Sequence, residues 1–251
     1  MALAKNRTKK IIVAGSLVVE AVYDRITAKD GPAARAAKSR SSSEAQKRLN
    51  LKNSVLKLEL TLAANFRPGD LVILFTYDDE HLPGSRKEAE LALKRFRRLL
   101  SVERVMRGQE LKAVWNIEHR HGDGRWHHHM VLNSTGDDME IVRRCWLNGH
   151  VDVRKLIIDR EHSYEALARY MCKEAGDKLG QRAWSCTRNL AKPEVETFRV
   201  DDDTTVQVPK GGVELQAESG RDAFSGWKVV KYLAPGWDLQ RRPKARRRRR
   251  R

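Results

Sequence analysis

Three histidines in a row, His127, His128 and His129, lead straight into Met130-Val131-Leu132, and Trp115-Asn116-Ile117-Glu118 precedes them across His121-Gly122-Asp123-Gly124. Two β-rich runs around a glycine-containing loop are a hairpin signal. Side chains alternate along a strand, so His127, His129 and Val131 share one face, and Trp126, His128 and Met130 share the other. A turn centred between Gly122 and Asp123 sets Glu118 opposite His127, where facing Cβ atoms lie roughly 4.5–5.5 Å apart. Two imidazoles and a carboxylate on one rigid face are the donor set of a metal site. A solvated histidine loop or a purification tag also contains such triplets, but a tag sits at a terminus and this run enters an apolar strand.

A second pair of groups could do chemistry. The segment from Ser163 to Ala175 reads as a helix with Ser163 as N-cap, ending before Gly176. On a wheel with Tyr170 at zero, Leu167, Met171, Tyr164, Ala168 and Ala175 fall between about 60° and 160°, and Lys173 falls at about −60°. Tyr170 is thus at the margin of the apolar stripe, with Lys173 beside it on the surface. A phenol there could reach a substrate with an ammonium close to its oxygen. The wheel alone fits equally an amphipathic tyrosine at a core margin beside a solvated lysine.

Other elements must hold these groups in place. Ile11 to Tyr23 is rich in Val and Ile and reads as a strand or a hairpin broken at Gly15-Ser16. Ala28 to Ser43 carries little that packs and reads as a linker or basic arm. Glu44 to Asn65 has helical apolar spacing, Arg67 to Asp70 is a turn, and Leu71 to Tyr77 is a strand apolar on both faces. Ser85 caps a helix to Leu100 with Ala89, Leu93, Phe96 and Leu100 inward, and Lys87, Lys94, Arg95, Arg97 and Arg98 on a solvated face. Glu140 to Leu147 is a short helix and Gly149 to Val153 an edge strand, while Thr204 to Val208 and Trp227 to Val230 carry further β signals.

The formal charge of +17 points to a polyanionic partner. Nine of those positives lie in residues 241–251, so the rest of the chain still carries about +8. Cys145, Cys172 and Cys186 are odd in number and lack CxxC spacing, which reads as reduced thiols in a cytoplasmic protein. The apolar run from Ile11 is too short for a bilayer and lacks a cleavage pattern, so neither a membrane span nor a signal peptide is expected. A phosphate-binding GxxxxGK[ST] loop does not occur, which excludes a fused helicase of that type.

Taken together, Phe75-Thr76-Tyr77-Asp78, then Gly124-Arg125-Trp126-His127-His128-His129-Met130, then Tyr170-Met171-Cys172-Lys173 resemble the three motifs of the HUH endonucleases. The closest likeness is to rolling-circle replication initiators of bacteriophages and mobile elements. Asn65 to Asp70 and Trp184 to Leu190 are similar to that phage-type group as well, and the likeness runs roughly from residue 11 to 235. The family pattern is His, bulky hydrophobic, His; here His128 fills the middle position, which leaves a second register, His128 with a neighbour, open.

The resemblance implies an α+β fold, a central antiparallel sheet of about five strands backed by helices. It implies a basic N-terminal strand and arm over 1–48, a nickase core over 49–198, a β-rich extension of that core over 199–240 and a disordered poly-arginine tail over 241–251. It further implies that Tyr170, assisted by Lys173, attacks a phosphodiester of single-stranded DNA at a replication origin and becomes a 5′-phosphotyrosine, leaving a 3′-hydroxyl. His127, His129 and Glu118 would hold Mg²⁺ or Mn²⁺, with Mn²⁺ suiting mixed imidazole and carboxylate ligation. Arg125, Arg182 and Arg188, with Arg241, Arg242 and Arg246 of the tail, are the candidates for DNA contact. Host helicase and polymerase in a bacterial cytoplasm would complete the system. The rival readings are a transposase or relaxase with the same motifs, a non-catalytic single-strand-binding module, and a zinc hydrolase using the histidines alone.

Overall fold

A computed structural model describes residues 6–25, 43–119, 124–158, 163–173, 182–221 and 226–236. The chain divides into two compact units: Ser41–Ala191, and Met1–Arg40 together with Lys192–Arg251. The fold is α+β, with two antiparallel five-stranded sheets and four helices among the described residues. None of these helices is long and apolar enough to cross a membrane.

The unit Ser41–Ala191 contains α1 (Ser43–Asn65), β3 (Leu71–Phe75), α2 (Arg86–Met106), β4 (Ala113–Glu118), β5 (His127–Leu132), α3 (Asp138–Cys145), β6 (Val151–Lys155), α4 (Glu165–Met171) and β7 (Ser185–Cys186). The strand order is β6-β3-β5-β4-β7, so the histidine strand is central and the strand Leu71–Phe75 lies beside it. Strand alternation sends Leu71, Ile73, Phe75, Met130 and Leu132 to one face, where they pack with Leu93, Phe96 and Leu100 of α2 and Ile141, Val142 and Cys145 of α3. Val114 and Val131 point the other way and pack with Leu58 and Leu62 of α1 and Ala168 and Met171 of α4. Helices therefore cover both faces of the sheet, and the β-run apolar on both sides is explained.

The start of α2 follows its sequence signals. Ser85 Oγ accepts from Glu88 N at 3.3 Å, and Glu88 Oε2 accepts from Gly84 N at 2.9 Å, which is a capping box. Phe96 is fully enclosed, so Phe96→Ala removes about 3–5 kcal/mol of stability. The C-terminal turn of α2 brings in a charge that its apolar periodicity did not announce. Arg104 is buried and donates from Nη2 to Asp138 Oδ1 at 2.5 Å and to Asn133 O at 2.9 Å, tying α2 to the start of α3.

The end of β3 is held by a close backbone crossing. Thr76 N donates to His150 O at 3.0 Å and Asp78 N to Asn148 O at 3.1 Å. A Cβ at Gly149 would meet Asp78 N at 2.5 Å, and its φ is +145°, so only glycine fits there.

In the other unit, β1 (Asn6–Ala14) and β2 (Leu17–Arg25) form a hairpin, joined by β8 (Glu194–Arg199), β9 (Val213–Arg221) and β10 (Gly226–Leu233) in the order β8-β1-β2-β10-β9. This corrects the expectation that 199–240 extends the sheet of 49–198. Lys228, Val230 and Tyr232 stand opposite Val22, Glu20 and Val18, so β10 completes an apolar face that the N-terminal hairpin cannot cover alone. Thr204–Val208 is not a strand: Val206, buried, and Val208 cap that core from an irregular segment. The arm around 28–43, the segment 174–181 and the tail lie outside the described residues, save the first residue of α1.

Candidate active site

The hairpin has the register that its turn predicts, Glu118 opposite His127, with Asn116 opposite His129 and Val114 opposite Val131. His127, His129 and Glu118 are buried, Glu118 completely. An ionised carboxylate so enclosed needs charged or hydrogen-bonding partners. It has them: Glu118 Oε2 is 2.6 Å from His129 Nε2, and Oε1 is ion-paired with Lys173 Nζ.

Tyr170 closes the constellation. It is 41 % exposed, and its hydroxyl is 3.5 Å from His129 Nε2, with the two rings edge to face. Lys173 Nζ lies 4.4 Å from the Tyr170 ring centroid, a cation–π contact. The ammonium thus bridges the phenol ring and Glu118 and is not merely a solvated charge. Burial raises the Tyr170 pKa, Lys173 pulls it back, and Glu118 raises it again, for a net shift above the ordinary phenol value. The hydroxyl therefore keeps its proton at neutral pH.

The helix that presents Tyr170 is shorter than its apolar periodicity suggests. It runs Glu165–Met171 with Tyr164 as N-cap, and Ser163 Oγ accepts from Glu165 N at 3.2 Å. Asn116 Nδ2 donates to Met171 O at 2.9 Å, which pins the C-terminal end of α4 to the sheet directly opposite His129. The other tyrosines are spent elsewhere. Tyr164 is buried and donates to Phe66 O at 3.3 Å, and Tyr232 donates to Glu20 Oε1 at 2.6 Å.

His128 takes the opposite face, which disposes of the alternative register. Its Nε2 is hydrogen-bonded to Tyr77 Oη at 2.6 Å, within a cluster that includes Phe75, Phe96 and Trp146. Burial pushes its pKa down to about 3, helped by the neighbouring imidazoles, so it is neutral under ordinary conditions. Burial likewise pushes the Tyr77 phenol up.

The arginines divide. Arg125 donates to Asp79 Oδ1 at 2.8 Å and to Tyr77 O at 2.9 Å, bracing the start of β5 against the segment after β3. Arg182 and Arg188 are exposed, and Arg241, Arg242 and Arg246 lie outside the described residues. Arg97, expected on the solvated face of α2, is partly buried with its guanidinium 3.7 Å from the Trp115 ring centroid. Two contributors went unread in the sequence. Asn116 could have been found, because the register that pairs Glu118 with His127 also pairs Asn116 with His129. Arg154, whose charge lowers the Tyr170 pKa, could not, because it arrives through the pairing of β6 with β3.

The donor set of His127, His129 and Glu118 fits a divalent cation: two imidazoles and a carboxylate converge, and the carboxylate is already held by cations. As the side chains stand, no group of three acidic, histidine or cysteine residues is arranged to hold a metal among the described residues. The Glu118–His129 hydrogen bond occupies the lone pairs that a cation would use.

Residues 70–175 match the model of a family described as replication-associated protein ORF2. The match spans less than half of the chain and takes in β3 through α4, with Glu118, His127, His129, Tyr170 and Lys173 all inside it. It supports a replication-associated, Rep-type role. No curated protein and no solved structure matches the chain.

Proposed function

We propose that this chain is a replication initiator of the HUH endonuclease kind, which nicks single-stranded DNA at an origin and remains attached to the 5′ end. One observation carries the reading: a tyrosine hydroxyl 3.5 Å from an imidazole that is itself bonded to a buried carboxylate, on one sheet face. The family match over the same segment supports it.

In this mechanism Tyr170 Oη forms a bond to phosphorus, the bond from phosphorus to the 3′-oxygen breaks, and the phenol proton passes in net to the departing 3′-hydroxyl. Phenols with a raised pKa are weak nucleophiles, so the positive field of Lys173 must stabilise the oxygen as it loses its proton. Glu118 holds Lys173 against the ring, and Asn116 fixes the end of the helix that carries both. Mg²⁺ or Mn²⁺ bound by His127, His129 and Glu118 supplies Lewis-acid polarisation of the scissile phosphate. The 3′-hydroxyl primes a host polymerase, with strand separation by a host helicase in the cytoplasm.

The test is incubation with single-stranded origin DNA and Mn²⁺ or Mg²⁺, read on a denaturing gel. The expected product is a nick whose 5′ end carries protein, absent when EDTA is added. DNA that is bound but never cut under any divalent metal sinks the nuclease reading in favour of a binding module.

A further inference from the structure

The outer edge of β4 is only partly covered. β7 pairs with it at Val114 and Trp115 and ends there, and among the described residues no other strand pairs with that side of Asn116–Glu118. Where β7 stops, the surface opens into a groove lined by Arg86 of α2, Trp115, Asn116 and Ile117 of β4, and Arg182 and Trp184 of the segment leading into β7. Both indoles are fixed in place. Trp184 Nε1 donates to Ser54 O at 3.2 Å, and Trp115 is held by the Arg97 guanidinium. Glu90, the carboxylate in the lining, accepts from Arg86 Nε at 3.1 Å. That leaves Arg182, exposed at the rim, as the charge offered to a ligand.

We propose that this groove holds one nucleotide of the single strand on which Tyr170 acts, adjacent to the scissile phosphate, with its phosphate on Arg182 and its base against Trp184. The inference rests on the reading of the chain as acting on single-stranded DNA. Guanidinium groups beside rigid indoles are the chemistry that holds a single strand without helical geometry: the charge follows the backbone and the ring takes any base. An open strand edge adds backbone donors and acceptors for a base edge. The groove is also placed for it. Asn116 lines it and faces His129 across the ladder, and Asn116 to Glu118 is about 7 Å of strand. A peptide strand adding to the same edge would need no guanidinium or indole, and the lining supplies both.

The experiment uses the full chain and a twenty-nucleotide oligothymidylate, some thymines replaced by 5-iodouracil. Photo-crosslinks are expected on the peptide that contains Trp184. Arg182→Ala is expected to weaken binding about tenfold and to flatten the dependence of log affinity on log salt by about 0.7, the loss of one single-strand phosphate contact. Arg143→Ala, an exposed arginine on α3, sets the size of a generic loss of charge. Binding with crosslinks confined to other peptides, or with Arg182→Ala indistinguishable from Arg143→Ala, overturns the groove while the nuclease reading stands. A chain that neither binds the oligonucleotide nor nicks origin DNA removes both.

Discussion

His128 and His129 are neighbours in one strand, and each touches a tyrosine, yet the two pairs differ in almost everything that decides chemistry. His128 and Tyr77 are enclosed between the sheet and α2, 2.6 Å apart, with no charged partner in hydrogen-bond contact. His129 and Tyr170 meet at 3.5 Å on the other face, the phenol exposed, with Glu118 and Lys173 completing the group. Both phenols have raised pKa values through burial, but only Tyr170 has a cation working against the rise. A tyrosine–histidine contact is thus structure on one face and a candidate nucleophile on the other. What separates them is access and a compensating charge.

The largest effect expected from breaking this contrast is at the nucleophile. Tyr170→Phe removes one oxygen from an exposed position, so the fold and DNA affinity persist, while the nick and the covalent adduct fall to background. Tyr77→Phe should do the reverse. It leaves His128 Nε2 without its partner, and Nδ1 already has none among the described residues, so stability drops by about 1–3 kcal/mol while the adduct still forms. Gel assays of the adduct and urea melts of both variants check the pair. An adduct that survives in Tyr170→Phe and maps to another residue would reverse the assignment of the two faces.

Lys173→Ala comes next. The side chain is 38 % exposed, so little stability is at stake, but the phenolate loses its stabilising charge and Glu118 loses an ion-pair partner. Cleavage under single-turnover conditions should slow by about two to three powers of ten, and Lys173→Arg should recover part of it. An unchanged rate in Lys173→Ala would mean that the ammonium only packs against the ring.

The site face was legible because strands alternate and hairpins pair by arithmetic. Glu118, His127 and His129 could be set together from the loop position alone, and Tyr170 beside Lys173 from a helical wheel. The pairing of β10 with β2 was not legible, since strand partners more than 200 residues apart leave no local signal, and 199–240 read as an extension of the wrong sheet. Arg104 was invisible for a related reason. A lone arginine in a basic helix looks solvated until Asp138, 34 residues on, arrives to neutralise it.

That pair gives the two faces a last point of comparison, and the smallest expected effect. Each face carries one ion pair, but Lys173–Glu118 sits at the rim, while Arg104 and Asp138 are enclosed, at 1 % and 2 % side-chain exposure. Burial opposes the Asp138 charge, yet hydrogen bonds from Thr135 N and Oγ1, the Arg104 charge and the Ser134 hydroxyl outweigh it, so its carboxyl titrates below the ordinary value. A carboxyl whose pKa is depressed by folding contributes stability that is fully present above the unfolded value, about 3.9, and is lost as the pH falls through the folded one. Wild-type stability should therefore fall between about pH 5 and pH 3 more steeply than that of Asp138→Asn, which cannot titrate and starts lower at neutral pH. The Lys173→Ala variant, altered only at the rim, should keep the wild-type acid slope. Urea midpoints measured at intervals across that window decide it, and parallel curves for wild type and Asp138→Asn would show that the enclosed pair has no part in acid stability.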